Sequence, residues 1–564
     1  MKFTREQEAI FEFVKNGKGH GIIDAVAGAG KTTTIMECAK YVDDPSQVLF
    51  CAFNRSIAGE IDYKFSEKGM NLVTTKTIHS LGLWIIKDNN KTAKNVVLND
   101  RKYENLLKQN EIRDLLNPYI QEVVNYHGYE YFPEEETQDY AVKNLVYFFG
   151  KRILEINTKY RLTLCKDSFQ EFKELVVHYG IFNSIEMGKR DFDNELECYF
   201  EAHRLLLERA NAYSAKTMII DYADMLYLPY FWEIYPAKKF NFLFIDECQD
   251  LSRSQLAVAL KFAKKGGRVL AVGDPRQSIY GFTGADIESF GKIESRLKAK
   301  KLPLTACFRC PQGVIEIARE IRTDIVGNKD YSGLVVKILN SEIVDEAKNN
   351  DLIISRTKDP LLLLIFDFID KDIKIKIHPD IAQELVDKLR RLFKREELFY
   401  RIKSPQDFEQ FKEKVLSRRK WVVNKEAERI IDRDERSAFI TVEMSVLEKE
   451  LDFLHKRWII WKNDANTIEE ILKRLHEFVN QKKDPIVLST IHTAKGLESD
   501  RVIILNYPDL PLKHSEQKEW EKVQELNLKY VAVTRTKEEL YLAENINLEE
   551  EKEEGSLFDE LFDL

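Results

Sequence analysis

The feature that most constrains the fold is a strand-like run, Gly21–Val26, apolar except for Asp24, that leads into small residues and then into Lys31 and Thr32. Residues 25–32 nearly match the phosphate-binding pattern G-x-x-x-x-G-K-[ST], with Ala25 in place of the first glycine. Small residues allow backbone N–H groups to wrap phosphates, Lys31 would reach the β- and γ-phosphate oxygens, and Thr32 would hold Mg²⁺. The pattern therefore predicts a strand, a glycine-rich loop and a helix that begins at Lys31 with its positive end towards an anion.

A second apolar run, Phe242–Ile245, ends in two adjacent carboxylates, Asp246 and Glu247. At the end of a buried strand, Asp246 would bind Mg²⁺ directly or through water, and Glu247 would accept a proton from the water that attacks the γ-phosphate. A solvated turn is the alternative interpretation of two adjacent acids. The phosphate-loop pattern in the same chain favours an ATP site.

Short apolar runs separated by helical patterns continue along the chain and predict parallel sheets with ligands at the carboxyl ends of the strands. Besides the two runs above they are Val48–Phe53, Val269–Val272, Leu352–Ile354, Ile486–Leu488 and Val502–Leu505. The fold class is therefore predicted to be α/β, with two parallel-sheet cores that are each interrupted by a mostly helical inserted domain. The predicted limits are 1–91 plus 212–300 for the first core, 92–211 for its insertion, 301–365 plus 480–548 for the second core, 366–479 for its insertion and 549–564 for an acidic tail.

Composition narrows the class of protein. The chain has 564 residues, of which 44% are hydrophobic and 32% charged, so it is too apolar to be disordered and long enough for roughly three or four domains. No stretch reaches the ~18 apolar residues that span a bilayer, and the N-terminus lacks the apolar core of a secretory signal. We therefore expect no membrane association and an intracellular location, in the cytoplasm and nucleoid or in a nucleus. The net charge of −8 neither indicates nor excludes a nucleic-acid partner, because binding depends on local basic surface.

The seven cysteines are odd in number and dispersed, which favours reduced thiols over a disulfide framework. Cys307 and Cys310 alone have a metal-like spacing, but no second pair exists to complete a zinc site. They are predicted to be packed thiols.

Residues 246–250, with the sequence D-E-C-Q-D, resemble helicase motif II in its UvrD/Rep-like form. The other motifs of that family follow in its order and roughly its spacing: a Q motif at 3–7, motif Ia at 53–55, motif Ib at 77–80, motif III at 272–281, motif IV at 304–309, motif V at 489–498 and motif VI at 530–535. The chain thus resembles the superfamily 1 DNA helicases of the UvrD/Rep type. Its motif Ia, A-F-N-R, is closer to a subgroup that includes the F-box DNA helicases and phage-type proteins.

The resemblance implies two RecA-like cores and assigns roles around ATP and Mg²⁺. Gln7 would read adenine, Phe308 would stack on it, and Gln277 would sense the γ-phosphate. Arg309 and Arg535 would act as arginine fingers, which contribute about 10³–10⁵ in rate in phosphoryl-transfer enzymes. The implied catalytic residues are Lys31, Glu247, Gln277, Arg309 and Arg535; the implied nucleotide contacts are Gln7, Ala27, Gly28, Ala29, Gly30, Lys31, Thr32, Thr33, Phe308 and Glu498; and the implied metal ligands are Thr32 and Asp246.

The same resemblance implies a track for single-stranded DNA, in which each base stacked on an aromatic side chain contributes about 1–3 kcal/mol. The implied contacts are Phe53, Asn54, Arg55, Thr77, His79, Tyr222, Tyr280, Phe282, Thr490 and His492. The sequence departs from the family pattern at Thr283, where arginine is common in motif III, and at Ser499, where an aromatic residue usually follows Glu498.

Two charged segments carry weaker predictions. The second insertion contains Arg390-Arg391, Lys394-Arg395 and Arg418-Arg419-Lys420-Trp421, which would either grip duplex DNA or form a solvated helical face, and both interpretations stay open. The tail 549–564 combines acids with apolar residues and would dock on a sliding clamp or a single-strand-binding protein, or fold back on the body. Unchanged partner pull-down after deletion of the tail would contradict the docking hypothesis.

The predicted function is an ATP-dependent DNA helicase or translocase that acts on single-stranded DNA and on junctions between single and double strands. Travel in the 3′→5′ direction is implied by the resemblance alone. One alternative is a translocase that displaces proteins and separates strands poorly. Another is an ATP-gated DNA-binding regulatory module with little turnover, against which the full set of catalytic residues argues.

Overall fold

The computed structural model describes residues 3–545, apart from 93, 127–134, 183–186, 189–190, 282–288, 380, 384, 388–403, 428–432, 462–469, 471–472, 474–475, 481–482 and 514–516. The chain divides into two compact units. Unit 1 comprises residues 1–308, 324–326 and 514–527, and unit 2 comprises residues 309–323, 327–513 and 528–564. The limits predicted above for the cores and insertions stay predictions.

Unit 1 contains a six-stranded sheet whose strands come from distant parts of the chain. The described strands that lie wholly in this unit, including three outside the six-stranded sheet, are β1 (Gly21–Ala25), β2 (Val48–Ala52), β3 (Thr74–Thr77), β4 (Val97–Leu98), β5 (Ile219–Ile220), β6 (Phe240–Ile245), β7 (Ala263–Gly273), β8 (Lys300–Leu304) and β9 (Ala306–Cys307). The sheet has the order β3-β2-β6-β7-β1-β8, and every neighbouring pair is parallel. β4 and β5 form a separate parallel pair. The predicted α/β class with parallel strands is confirmed.

The strand register brings three loops to one edge of this sheet. Asp24 of β1 is aligned with Gly273 of β7, and Ile245 of β6 with Ala271 of β7. The loops that follow β1, β6 and β7 therefore start side by side at the carboxyl edge, where parallel sheets bind ligands. β1 and β2 are buried at every residue, as expected for strands of a parallel sheet covered on both faces.

Helices make up most of the rest of unit 1. They are Arg5–Asn16, Lys31–Cys38, Arg55–Glu67, Ile78–Asp88, Lys102–Leu107, Asn110–Tyr126, Glu135–Thr163, Phe169–His178, Phe192–Thr217, Tyr222–Phe231, Arg253–Lys261 and Ser289–Leu297. The helices between 102 and 217 share an apolar core that includes Phe149, Phe172 and Tyr199, as the helical periodicity of this segment predicts.

Unit 2 contains a second six-stranded parallel sheet. The remaining strands are β10 (Val326–Gly327, which begins in unit 1), β11 (Leu334–Leu339), β12 (Leu352–Ser355), β13 (Ile375–Ile377), β14 (Ile486–Thr490), β15 (Ser499–Ile504) and β16 (Thr536–Glu544). The sheet order is β11-β16-β15-β12-β14-β13. The helices are Gln312–Arg319, Ile343–Glu346, Asp359–Asp370, Pro405–Ala427 and Arg433–Trp461, and Glu519–Val533 has residues in both units. The apolar run Leu361–Phe366 lies in the helix Asp359–Asp370, which packs in the core of unit 2.

None of the described helices is long and apolar enough to cross a membrane. Within the same residues, no group of three or more His, Cys, Asp or Glu side chains is arranged to hold a metal ion. None of the seven cysteines forms a disulfide, and Cys307 and Cys310 are buried, as predicted for packed thiols.

Some predicted sites lie outside the described residues. They are Phe282 and Thr283 of the motif III segment, the basic residues Arg390, Arg391, Lys394 and Arg395, and the acidic tail 549–564.

Candidate active site

The phosphate-loop segment connects β1 to the helix Lys31–Cys38. Gly30 caps that helix with φ 75° and ψ 38°, a left-handed conformation that favours glycine. A Cβ atom at Gly30 would meet no atom within 4 Å. Glycine is therefore favoured at this position by the left-handed backbone and not by a lack of room for a side chain. Ala25 is instead an ordinary strand residue, aligned with Leu304 of β8, so the position does not need glycine. The Phe308 N–H donates to the Gly28 carbonyl at 3.0 Å and fixes the loop from its other side.

The Lys31 ammonium group lies among acceptors from the loops after β6 and β7. Its Nζ is 3.2 Å from Glu247 Oε2 and 3.3 Å from Gln277 Oε1. Burial alone would lower the pKa of Lys31, but the carboxylates of Glu247, Asp274 and Asp246 outweigh it and raise the pKa above its ordinary value. The side chain is therefore a permanent cation at the carboxyl edge of the sheet.

Thr32 and Asp246 form a pair of oxygen ligands. The Thr32 hydroxyl donates to Asp246 Oδ2 at 2.8 Å. Burial and then repulsion from Glu247 raise the pKa of Asp246. A bound divalent cation would favour the ionised carboxylate. Hydroxyl and carboxylate oxygens at this spacing are the hard ligands that Mg²⁺ takes in nucleotide sites, so the donor set fits the ion.

A buried amide, Gln249, connects the two loops that carry the acids. Its Nε2 donates to Glu247 Oε2 at 2.7 Å and to Asp250 Oδ2 at 3.0 Å, while its Oε1 accepts from the Asp274 N–H at 3.1 Å. Asp274 in turn accepts from Gln277 Nε2 at 2.9 Å. The position of the Glu247 carboxylate and the position of Gln277 are therefore coupled through Gln249 and Asp274.

The residues predicted to hold adenine, Gln7 and Phe308, contact the phosphate-loop segment and the helix that follows it. Gln7 is buried; its Nε2 donates to the Thr34 hydroxyl at 2.9 Å and its Oε1 accepts from the Thr4 N–H at 3.0 Å. These contacts leave one N–H and one lone pair of the amide for a base. The Phe308 ring is 39% exposed, as a stacking platform must be.

Unit 2 brings together three other predicted residues. Arg309 Nη2 is 2.6 Å from Glu498 Oε2, and Arg309 Nη1 donates to the Thr534 carbonyl at 3.0 Å. Burial alone would raise the pKa of Glu498, but Arg309 and Lys537 hold it below its ordinary value. Arg535 is buried beside them, where its guanidinium donates to the Val531 carbonyl at 3.0 Å and to the Leu497 carbonyl at 3.3 Å.

Two aromatic pairs mark the predicted nucleic-acid track in unit 1. The rings of Phe53 and Tyr280 stack with centroids 6.1 Å apart and planes 15° apart. His79 meets the Tyr222 ring edge-on at 6.3 Å, and burial lowers the pKa of His79, which keeps it neutral at pH 7. Tyr222 is 48% exposed and can offer a ring face to a base.

The polar residues predicted on the track have structural contacts as well. Asn54 caps the helix Arg55–Glu67 by accepting from the Ile57 N–H at 2.9 Å, and Thr77 caps the helix Ile78–Asp88. In unit 2 the Thr490 hydroxyl accepts from the Thr493 N–H at 3.3 Å. Burial, Arg356 and Lys495 lower the pKa of His492 to about 4.

Residues 4–298 match the family model described as the UvrD/REP helicase N-terminal domain. The chain belongs to the UvrD/Rep helicase family. As a member of this family, the chain is an ATP-dependent DNA helicase by class. The match confirms the resemblance inferred from the ordered motifs.

Three relatives illustrate the similarity. The chain is 23% identical to a probable DNA helicase II homolog of Mycoplasma pneumoniae, over 96% of this chain and 84% of that protein. It is 22% identical to the ATP-dependent DNA helicase Rep of Buchnera aphidicola, over 62% of this chain and 48% of that protein. It is 23% identical to F-box DNA helicase protein 1 of Schizosaccharomyces pombe, over 96% of this chain and 57% of that protein.

In this UvrD/Rep family member, the predicted residues fall into separate groups. Lys31, Thr32, Asp246, Glu247 and Gln277 contact one another in unit 1. The group formed by Arg309, Glu498 and Arg535 lies in unit 2. The remaining predicted residues outside these groups include Ala27, which is buried, and Thr33 and Arg55, which are exposed.

Four residues near the site were not predicted from the sequence. Gln249 and Asp274 couple the acid loops, as described above. The Gly281 N–H donates to Gln524 Oε1 at 3.1 Å, and Asn527 Nδ2 donates to the Ser278 carbonyl at 2.9 Å. Gln249 and Asp274 lie inside motifs II and III, so the motifs could have indicated them as site residues. The sequence around 524–527 contains no pattern that predicts a contact with the loop after β7.

Proposed function

We propose that this helicase is a Mg²⁺- and ATP-driven motor that moves along single-stranded DNA in the 3′→5′ direction. Movement would separate strands at junctions between single and double strands or displace bound proteins. The main support is one arrangement in unit 1, in which the Lys31 ammonium lies 3.2 Å from the Glu247 carboxylate and 3.3 Å from Gln277. The residues proposed as the base for water and as the γ-phosphate sensor thus both contact the proposed phosphate-binding cation at the edge of one sheet.

In the proposed reaction a water oxygen attacks the γ-phosphorus while the bond to the bridging oxygen of ADP breaks. Glu247 accepts the proton of the water, and Lys31 stabilises the negative charge on the phosphate oxygens. Thr32 and Asp246 would hold Mg²⁺, which neutralises phosphate charge when it is bound. Arg309 and Arg535 would stabilise the phosphoryl group in transit.

The coupling between hydrolysis and DNA would pass through the loop after β7. This loop carries both Gln277, which contacts Lys31, and Tyr280, which stacks on Phe53. A change at the γ-phosphate that moves Gln277 would therefore also move an aromatic residue of the proposed DNA track. Stacking on such residues is independent of base sequence, as a motor requires.

The test is steady-state ATP hydrolysis with and without single-stranded DNA, in the wild type and in Glu247→Gln. We expect strong stimulation by DNA and a loss of about 10²–10⁴-fold in the variant, because the general base is removed. Glu37→Gln is the matched control, since Glu37 lies on the phosphate-loop helix but pairs with Lys40 and Lys68. The control should keep the wild-type rate.

Three outcomes bear on the proposal: one would replace the motor, one would decide between strand separation and protein displacement, and one would contradict the polarity. Negligible hydrolysis with DNA, together with intact ATP binding, would replace the motor by an ATP-gated binding module. Stimulated hydrolysis without unwinding of partial duplexes would indicate a translocase that displaces proteins. Unwinding of duplexes with 5′ tails only would contradict the proposed polarity.

A further inference from the structure

Four charged side chains are buried together where the helix Tyr222–Phe231 begins. This buried charge cluster consists of Lys102, Arg161, Asp221 and Asp224, and Lys102 and Asp224 have side chains with no exposed surface. Taking such groups out of water costs several kcal/mol for each ion unless they are paired with good geometry. Their pairing at this place therefore calls for a physical explanation.

The geometry of the cluster is tight and fully paired. Arg161 donates from Nη1 and Nη2 to the two oxygens of Asp221 at 2.7 and 2.9 Å, and from Nη1 to Asp224 Oδ1 at 2.8 Å. Lys102 Nζ lies 2.6 Å from Asp224 Oδ2 and 2.6 Å from the Ser214 hydroxyl. Burial alone would raise the pKa of Asp221, but the Arg161 guanidinium holds it below its ordinary value. Two cations and two anions thus compensate one another.

The partners come from four separate segments of unit 1. Lys102 and Arg161 lie on the helices Lys102–Leu107 and Glu135–Thr163, and Ser214 lies on the helix Phe192–Thr217. The two acids belong to the start of the helix Tyr222–Phe231, where they also form a reciprocal capping box through their own backbone N–H groups. Since a capping box needs no cation, the arginine and the lysine serve something more than the cap.

One of the two residues between these acids, Tyr222, suggests what that is. Tyr222 is the first residue of the helix, 48% exposed, with His79 edge-on at 6.3 Å. An arginine that holds both oxygens of the preceding residue, Asp221, fixes the direction of the helix and therefore the direction of the Tyr222 ring. Fixing the ring before a base arrives removes an ordering cost from binding.

We propose that the buried charge cluster is a positioning device, in which Arg161 and Lys102 hold the start of the helix so that Tyr222 is ready to stack on a base of the bound strand. The helical segment 102–217 thereby controls the affinity of the core for single-stranded DNA without touching the strand through these residues. This inference rests on the proposed function, because it assumes that Tyr222 contacts DNA.

The test is a double-mutant cycle on the DNA concentration that gives half-maximal stimulation of ATP hydrolysis. Arg161→Lys keeps the charge but loses the bidentate contact with Asp221. We expect the half-maximal DNA concentration to rise roughly tenfold, which is within the range that corresponds to the stacking free energy of one base. The KM for ATP and the kcat at saturating DNA should stay at wild-type values. Tyr222→Ala should cause a similar rise, and the double variant should be no weaker than Tyr222→Ala, because both changes remove the same contact.

A matched control separates positioning from general stability. Lys159 lies on the same helix as Arg161, is buried, and places its ammonium over the Tyr179 ring at 4.8 Å. Lys159→Met should lower the thermal unfolding temperature without shifting the DNA concentration. If Arg161→Lys fails to fold, Ser214→Ala is the second variant, because it removes one partner of Lys102. It should raise the half-maximal DNA concentration about two- to threefold.

The possible results decide between distinct failures. The positioning role would be overturned if Arg161→Lys left the half-maximal DNA concentration unchanged. It would also be overturned if the fold-increases caused by Arg161→Lys and Tyr222→Ala multiplied in the double variant. A Tyr222→Ala variant with wild-type DNA response would also overturn it, since nothing would then be positioned. Absence of DNA stimulation in the wild type would overturn the proposed function itself.

Discussion

Glu247 shows how single residues of the site are held in unfavourable conformations. Its φ of 49° and ψ of 45° lie in the left-handed region, which costs a non-glycine residue about 1–3 kcal/mol. Its N–H donates to Asp246 Oδ1 at 2.9 Å, and its carboxylate contacts Gln249 and Lys31. These contacts stabilise the conformation that points the proposed base at the edge of the sheet.

At the same scale, Gly273 is required by close packing against Gln249. A Cβ atom there would lie 2.5 Å from Gln249 Oε1 and 2.8 Å from Cys248 Sγ. Gly273→Ala should therefore displace Gln249, release its contact with Glu247 and reduce ATP hydrolysis by about tenfold or more, since loss of one orienting hydrogen bond to a charged group is worth about 1.5–3 kcal/mol. The measurement is kcat at saturating ATP and DNA, alongside nucleotide affinity, which should change little.

Gly291→Ala is the control for the Gly273 prediction. A Cβ atom at Gly291 meets no atom within 4 Å, and the residue lies in the helix Ser289–Leu297, where alanine is favoured by about 0.5–1 kcal/mol. This variant should keep wild-type activity and be slightly more stable. Equal activities of Gly273→Ala and Gly291→Ala would contradict the packing argument.

The sequence allowed the charged residues of the site to be predicted better than the residues that orient them. Lys31 lies at the end of the loop after β1, and Asp246 immediately follows β6, so the topology brings both charged residues to the same sheet edge. Gln249 is different, because its contacts with Glu247 and Asp274 depend on the path of two loops. A local pattern of residues does not specify that path.

At the scale of elements, strands buried on both faces were the easiest to predict. β1, β2 and β6 are short apolar runs, and each was located to within a residue or two. β3 (T-T-K-T) and β8 (K-K-L-P-L) were not predicted. They are the two edge strands of the sheet in unit 1, and they carry polar residues or lysines in place of an apolar run. Edge strands commonly carry lysine and proline, which removes the signal of apolar continuity.

Helix packing in the segment 102–217 leads to a prediction about pH. His203 is fully buried between the rings of Tyr160 at 4.4 Å and Phe172 at 5.8 Å, and burial followed by Arg161 and Arg204 lowers its pKa to about 3. The unfolded chain takes up a proton on this histidine below about pH 6.5, whereas the folded chain does not. Stability therefore falls as the pH drops below 6.5, by about 2 kcal/mol at pH 5 for this group.

The measurement is urea unfolding followed by circular dichroism at pH 7.5 and pH 5.0, in the wild type and in His203→Gln. The variant cannot take up the proton, so it should lose about 2 kcal/mol less than the wild type between these pH values. His476→Gln, at an exposed position, should keep the wild-type dependence. Equal losses in wild type and His203→Gln would show that His203 is protonated in the folded protein.

At the scale of the whole molecule, each sheet is assembled from segments that are far apart in the chain. In unit 1, β3 ends at Thr77 and the next strand of the sheet, β6, begins at Phe240, while the helices from 102 to 217 lie between them. In unit 2 the same happens between β13, which ends at Ile377, and β14, which begins at Ile486. The change from strand-like to helical periodicity indicated both interruptions, because a long helical segment cannot continue a parallel sheet.

Dependence of hydrolysis on residues of both units is the prediction that belongs to this scale. Lys31 and Glu247 lie in unit 1, whereas Arg309 lies in unit 2, paired with Glu498 at 2.6 Å. A lysine at position 309 can keep the ion pair but lacks the planar fork of a guanidinium. If Arg309 acts as a finger, Arg309→Lys should lower the rate of a single turnover by about 10³-fold or more while ATP still binds to the residues of unit 1.

Arg501 provides the control for a purely structural arginine. It lies on β15 in the same unit as Arg309, with Nε 3.0 Å from Asp351 and Nη1 2.7 Å from Glu539, so it has a comparable set of ion pairs. Arg501→Lys should lower the unfolding temperature and leave the single-turnover rate unchanged. If Arg309→Lys behaves in the same way, with lower stability and a normal rate, then Arg309 supports Glu498 within unit 2 and the phosphoryl group is stabilised by unit 1 without it.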